Sequence, residues 1–166
     1  MLIKAVETLD LLESKNQTAD AEQIFFSVNL STDFIIEIAK LKVLRMLWHK
    51  IRSAYGSNLH SKTIRIHATC EAWISESFEP HGNMLKATTA GLSAILGGCR
   101  SITFMPADET DERLARIAQN VSHILREESH INKVADPTAG SYYLEQLIRE
   151  LSENAWKKFL QNVKTA

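Results

Sequence analysis

The run TIRIHAT, Thr63–Thr69, sets Ile64, Ile66 and Ala68 against Arg65, His67 and Thr69 in strict alternation, the period of a half-buried strand. His67 is thereby offered near the end of a strand, on one face with Arg65 and Thr69. An imidazole so placed suits acid/base work, or hydrogen-bond donation into a barrel lumen. The same spacing is at least as common for an interior histidine that is simply hydrogen-bonded. His81, in EPHGN, stands just before an expected helix start, where free N–H groups can hold an anion. A plain loop histidine explains it better. Glu127, Glu128 and His130 read as a solvated helix end, and Cys70 and Cys99 as two buried thiols, not a disulfide framework or a metal site. No His, Asp or Glu spacing matches a zinc or calcium pattern, and no Gly-x-Ser-x-Gly elbow occurs. On the residues alone the chemistry stays open.

The elements that must position these groups follow from periodicity. Leu2, Val6, Leu9 and Leu12 mark an amphipathic helix over 2–15, and Asn16–Asp20 a break. Ile24–Asn29 is a short strand. Ser31, Thr32 or Asp33 can cap the following helix, which runs to about Ala54 with Glu37, Lys40, Arg45 and Lys50 outside its apolar stripe. Gly56–Asn58 closes it. After the second strand and a polar loop, a helix starts at Gly82 or Asn83 and ends at Gly97-Gly98. Cys99–Met105 is a third strand, followed by a helix over about 111–128. Lys133–Pro137 reads as a fourth strand, and Ser141 to about Leu160 as the last helix. The expected organisation is an N-terminal helical segment, 1–22, and four βα units over 23–166.

Strands joined by helical crossovers are parallel with right-handed connections. Four such units equal half of an eight-unit barrel, so the predicted fold class is α/β, a partial (half) TIM-type barrel preceded by an N-terminal helix. The competing doubly wound sheet lacks support, because NLSTD after the first strand contains no glycine for a phosphate loop. Unprotected barrel edges predict self-association. In either architecture the working face lies at the carboxyl ends of the strands, which selects Asn29–Thr32, His67–His81, Met105–Thr110 and Asp136–Ser141.

The balance of charges limits the partners. Nineteen basic and 20 acidic residues give a net charge of -1 with no basic tract, which argues against nucleic-acid binding through phosphates. The apolar runs are far short of the ~20 residues that span a bilayer, and the first residues lack a signal-peptide layout. A cytoplasmic location is expected.

Several stretches together resemble the adenosylcobalamin-dependent acyl-CoA mutases, the methylmalonyl-CoA mutases in particular. They are DFIIEIAKLKVLRMLWHKI, RIHATCEAW, EPHGNMLKATTAGLSAILGGCRSITFMPADE, RLARIAQNVSHILREESHINKVADPTAGSYYLEQL and ENAWKKF. The resemblance spans nearly everything from Phe25 to Phe159. It implies the second half of the family's substrate barrel, a reaction interconverting methylmalonyl-CoA and succinyl-CoA, and adenosylcobalamin in the holoenzyme.

The departures bear most on function. Catalytic members typically end the second of these strands His-x-Gln-Thr-Ser-Gly, with the His and Gln facing substrate. Here His67 is followed by Ala68, Thr69, Cys70, Glu71 and Ala72. Their next loop reads Gln-Asp-x-Tyr-Asn-Asn with a later Glu, against Phe78, Glu79, Pro80, His81, Gly82, Asn83 and Ala90 here. A phenyl ring offers no donor or acceptor in place of a Gln amide. His67 and Asn83 survive as residual substrate-binding candidates, with no residue assigned to catalysis. The family's Asp-x-His-x-x-Gly cobalt-ligand signature has no counterpart, so no cofactor is expected on this chain alone. The resemblance thus points to part of the small, non-catalytic subunit, with the large catalytic subunit as partner. The alternative is an enzyme part that still binds an acyl-CoA and shares in the isomerisation. A polar pocket in which His67 and Asn83 converge would favour the enzyme; an apolar lumen would favour the scaffold.

Overall fold

The computed structural model describes residues 1–15, 23–55, 64–71 and 80–165. The expected breaks at Asn16–Asp20 and Gly56–Asn58, and Trp73 and Phe78 of the polar loop, lie outside the described residues. Helix α1 spans Leu2–Ser14 and is followed by strand β1, Phe25–Leu30, and helix α2, Phe34–Ala54. Strand β2, Arg65–Cys70, leads to helix α3, Pro80–Leu96; strand β3, Ser101–Phe104, leads to helix α4, Glu112–Glu127. A short 3-10 turn, Ile131–Lys133, precedes helix α5, Tyr142–Thr165.

The three strands form one parallel sheet in the order β1-β2-β3, so each crossover returns to the adjacent position. Alternation decides which side the helices cover. Phe26, Val28, Leu30, Ile66, Ala68, Cys70 and Phe104 are buried in one core with α1, α2, α3 and α4. The residues between them, from Phe25 and Ser27 to Ser101 and Thr103, are exposed or only partly covered. Among the described residues, helices therefore lie on one face only. A doubly wound sheet would carry them on both; sequential one-sided winding is consistent with part of a barrel whose inner face is open.

Local signals explain the helix ends. Asp33 caps α2 by accepting from Ile36 N, and Asp111 caps α4 by accepting from Arg113 N at 2.8 Å. Gly98 closes α3 at φ +80°, a region where side chains are strained, and a Cβ there would meet the Arg45 guanidinium. Helix α3 begins at Pro80, earlier than the expected Gly82 or Asn83, so His81 belongs to a first helical turn and not to a loop. Proline suits that position because the N–H it lacks would have no helical partner.

The largest difference from expectation is at Lys133–Pro137. No ladder forms there, and among the described residues the sheet has three strands, not four. The reason lies in α5. The first half of its stripe meets a helix: Leu144, Leu147, Ile148 and Leu151 pack with Ile38 and Ala39 of α2. Helix α5 thus packs along α2 through its first half, while Trp156 and Phe159 of its second half reach the main core, and the segment leading into it pairs with no strand. Lys42 of α2 holds that segment, donating to both oxygens of Asp136 at 2.9 and 2.7 Å and to Thr138 Oγ1. Hydrogen bonds from Lys42 outweigh the effect of partial burial and, with Thr138, hold the Asp136 carboxyl below its usual range. Gly140, at φ +83°, then turns the chain into α5, and its N–H donates to Glu145 Oε1 at 3.0 Å.

Candidate functional site

The parallel register lays side chains across the open face in rows. Ser27, His67 and Ser101 are neighbours in one row; Asn29, Thr69 and Thr103 form the next. His67 Nδ1 lies 2.8 Å from Ser101 Oγ, and Nε2 lies 3.3 Å from Thr103 Oγ1. Both ring nitrogens are engaged by hydroxyls of the neighbouring strand while the ring stays partly exposed. The imidazole is oriented but not buried, and each partner can donate or accept as the tautomer requires.

At the carboxyl ends of β1 and β2 the network continues. Asn29 Nδ2 donates to Glu71 Oε1. Glu37, from the first turn of α2, accepts from Ser31 N at 3.0 Å and Ser31 Oγ at 2.7 Å, and its other oxygen lies 2.5 Å from Lys40 Nζ. Periodicity puts Glu37 outside the apolar stripe, yet it is only 2% exposed. Burial pushes its carboxyl pKa up, but Lys40 and the two Ser31 hydrogen bonds together outweigh that and hold it below the ordinary value. The β1–α2 corner is therefore built around a buried carboxylate.

Asn83 has a different address. It sits in the first turns of α3, is 5% exposed, and lines a cavity of about 20 Å³ with Met84, Ala87, Phe104, Met105 and residues of α4. That is the covered, helix side of the sheet, whereas His67 is on the open side. The structure places the two survivors apart. Thr69 shares His67's face, one row on. The open face is polar, as an enzyme reading requires, but the convergence of His67 with Asn83 is missing.

Cys70 is fully buried and Cys99 partly so, and both are free thiols. Burial pushes each up to about 12, Cys70 further through Cys99. Ser101 and Thr103, the partners of His67, escaped sequence reasoning; the alternation in CRSITFM puts them on one face, but only the register shows that this face meets His67.

Residues 11–166 match the methylmalonyl-CoA mutase family. The chain belongs to that family. It is 40% identical over 146 residues to the methylmalonyl-CoA mutase small subunit of Porphyromonas gingivalis, covering 84% of this chain and 24% of that protein. It is 36% identical over 144 residues to the small subunit of Propionibacterium freudenreichii subsp. shermanii, covering 83% and 22%. With the methylmalonyl-CoA mutase of Escherichia coli it shares 31% over 140 residues, covering 81% and 20%. The chain thus spans about a quarter or less of the length of these mutase relatives. For the mutase cofactor, adenosylcobalamin, the site is a poor match. Both His67 nitrogens already meet the hydroxyls of Ser101 and Thr103. These residues do not fit the part of a cobalt ligand. Among the described residues no helix is long and apolar enough to cross a membrane.

Proposed function

We propose that this chain forms part of the barrel of a mutase small subunit, and that its task is to support a large catalytic chain. The interconversion of methylmalonyl-CoA and succinyl-CoA would then belong to that partner and its adenosylcobalamin. One observation carries the reading: His67 is tied to Ser101 and Thr103, with Asn83 on the other side of the sheet. A histidine that serves a substrate carbonyl needs a donor free to reach it. The Thr69, Glu71 and Ala90 replacements support the same reading, since each changes the group that the catalytic pattern presents.

The second reading, an enzyme part that still binds acyl-CoA, draws support from the polar and accessible character of the open face. Steady-state assay separates the two. The purified chain, given adenosylcobalamin and methylmalonyl-CoA, is expected to show no turnover, and to co-purify with the large subunit when both are expressed. Measurable turnover by the chain alone would sink the scaffold reading. The open edges of β1 and β3 further support self-association of the isolated chain; sedimentation as a monomer at every concentration would count against it.

A further inference from the structure

On the helix side of the molecule, α2, the carboxyl end of α3, the connector 131–139 and the start of α5 line a cleft of about 790 Å³. That volume falls within the range of small-molecule sites, and the described residues that line it include none from a strand. Ile95, Leu144 and Ile148 give it apolar walls, and Met46 and Val134, 52% and 58% exposed, stand at its rim. Four charged side chains also line it, and three of them are already matched. Lys42 donates to both oxygens of Asp136 and to Thr138 Oγ1, and Glu145 Oε1 accepts from Gly140 N. Arg45 is different. Among the described residues it has no ion-pair partner, and it donates to one neutral group, Gly98 O, at the end of α3. That bond aims the guanidinium without neutralising it. Gly98 lets it lie close: a Cβ there would stand 2.7 Å from Arg45 Nη2 and 3.3 Å from Cζ. The half-buried guanidinium is thus packed against the backbone that ends α3, and a ligand meets it already ordered.

From this arrangement we infer a binding site for a small monocarboxylate with a compact apolar body, its carboxylate on Arg45 and its body against Ile95, Leu144 and Ile148. The planar guanidinium fork offers a carboxylate two parallel, charge-assisted hydrogen bonds. Charge decides between anions. One uncompensated positive charge matches one negative charge, whereas a phosphate monoester would bring its second charge beside Asp136 and Glu145 and be repelled. The walls decide the body. A ring set against them leaves water, while a small hydrophilic acid gains only an ion pair at a half-exposed site, which is worth little. The cleft holds no residue of the open face of the sheet, so its failure as a site would leave the Proposed function untouched.

Titration of the ¹⁵N- and ¹³C-labelled chain with three probes that share one ring system tests it: naphthylacetate, naphthylacetamide and naphthyl phosphate, at constant ionic strength. Expected with naphthylacetate are saturable shifts at the Arg45 side chain and at the methyl groups of Met46, Ile95, Val134 and Leu144. The uncharged amide should bind about tenfold more weakly or worse, the loss of a charge-assisted pair, and the phosphate more weakly than the acid. Arg45→Gln should bring acid and amide to equal affinity, a ratio that a small loss of stability does not move. Val134→Asp is the second variant. It changes an exposed rim residue and should weaken the acid by like-charge repulsion with an unchanged amide spectrum elsewhere. Shifts that do not saturate, equal binding of acid and amide by the wild type, tighter binding of the phosphate, or a preference for the acid that survives Arg45→Gln would each overturn the site.

Discussion

The two faces of the three-stranded sheet are made by the same alternation and have opposite physics. One is sealed: Phe26 meets Trp48 edge-on at 5.0 Å between ring centroids, and Ile66, Ala68 and Cys70 are essentially without exposure beneath α2 and α3. The other is open and polar, and its groups satisfy one another sideways, His67 with Ser101 and Thr103, Asn29 with Glu71. Burial of apolar surface gives the sealed face its stabilising role, at roughly 25 cal/mol per Å². Hydrogen bonds on the open face compete with water and return little. Stability resides on one side of the sheet and accessible polar groups lie on the other, so each can change without the other. Side chains on the open face can thus vary while the packed scaffold remains intact.

The contrast can be broken most severely at Trp48. Trp48→Ala leaves a cavity between α2 and β1 at a residue that is 2% exposed, and should destabilise the chain by about 3–5 kcal/mol in denaturant titration. A loss below ~1 kcal/mol would mean that the sealed face does not carry the fold. Glu37→Gln comes next, at about 1–3 kcal/mol, because it leaves Lys40 and Ser31 facing a neutral group at a buried corner. The sign with pH is fixed. A carboxyl whose folded pKa is lowered contributes stability above its unfolded value of ~4.3, and that contribution disappears as pH falls through the lower folded value. The gap between wild type and Glu37→Gln should therefore be full at pH 7 and close in strong acid. A gap that widens on acidification would contradict the role given to Glu37. The smallest effect is expected on the open face. His67→Ala should change stability by no more than ~1 kcal/mol, since water replaces both hydroxyl contacts of a partly exposed ring. A larger loss would show that the open face is structural after all.

Much of this was legible in the residues. The helical stripes, a cap for α2 among Ser31, Thr32 and Asp33, the glycine stop at Gly97-Gly98 and the face shared by Arg65, His67 and Thr69 all follow from local rules. Lys133–Pro137 did not. A short apolar run before an amphipathic helix is the same text whether the helix covers a sheet or another helix, and α5 packs on α2. Glu37 was hidden for a similar reason: an acid among Ile36 and Ile38 looks like a solvated position until the turn at Ser31 folds over it.

By itself, then, the sequence determined the five helices, the first three strands, the parallel crossovers and membership of the mutase family, because each is written in spacing over a few residues or in long matching blocks. Only the tertiary structure decided that Lys133–Pro137 stays out of the sheet, that Glu37 is buried, that His67 is held by Ser101 and Thr103, and that Asn83 stands on the far side. Those outcomes depend on which surfaces meet across tens of residues. Burial and register are properties of both partners at once, and local spacing carries information about only one of them.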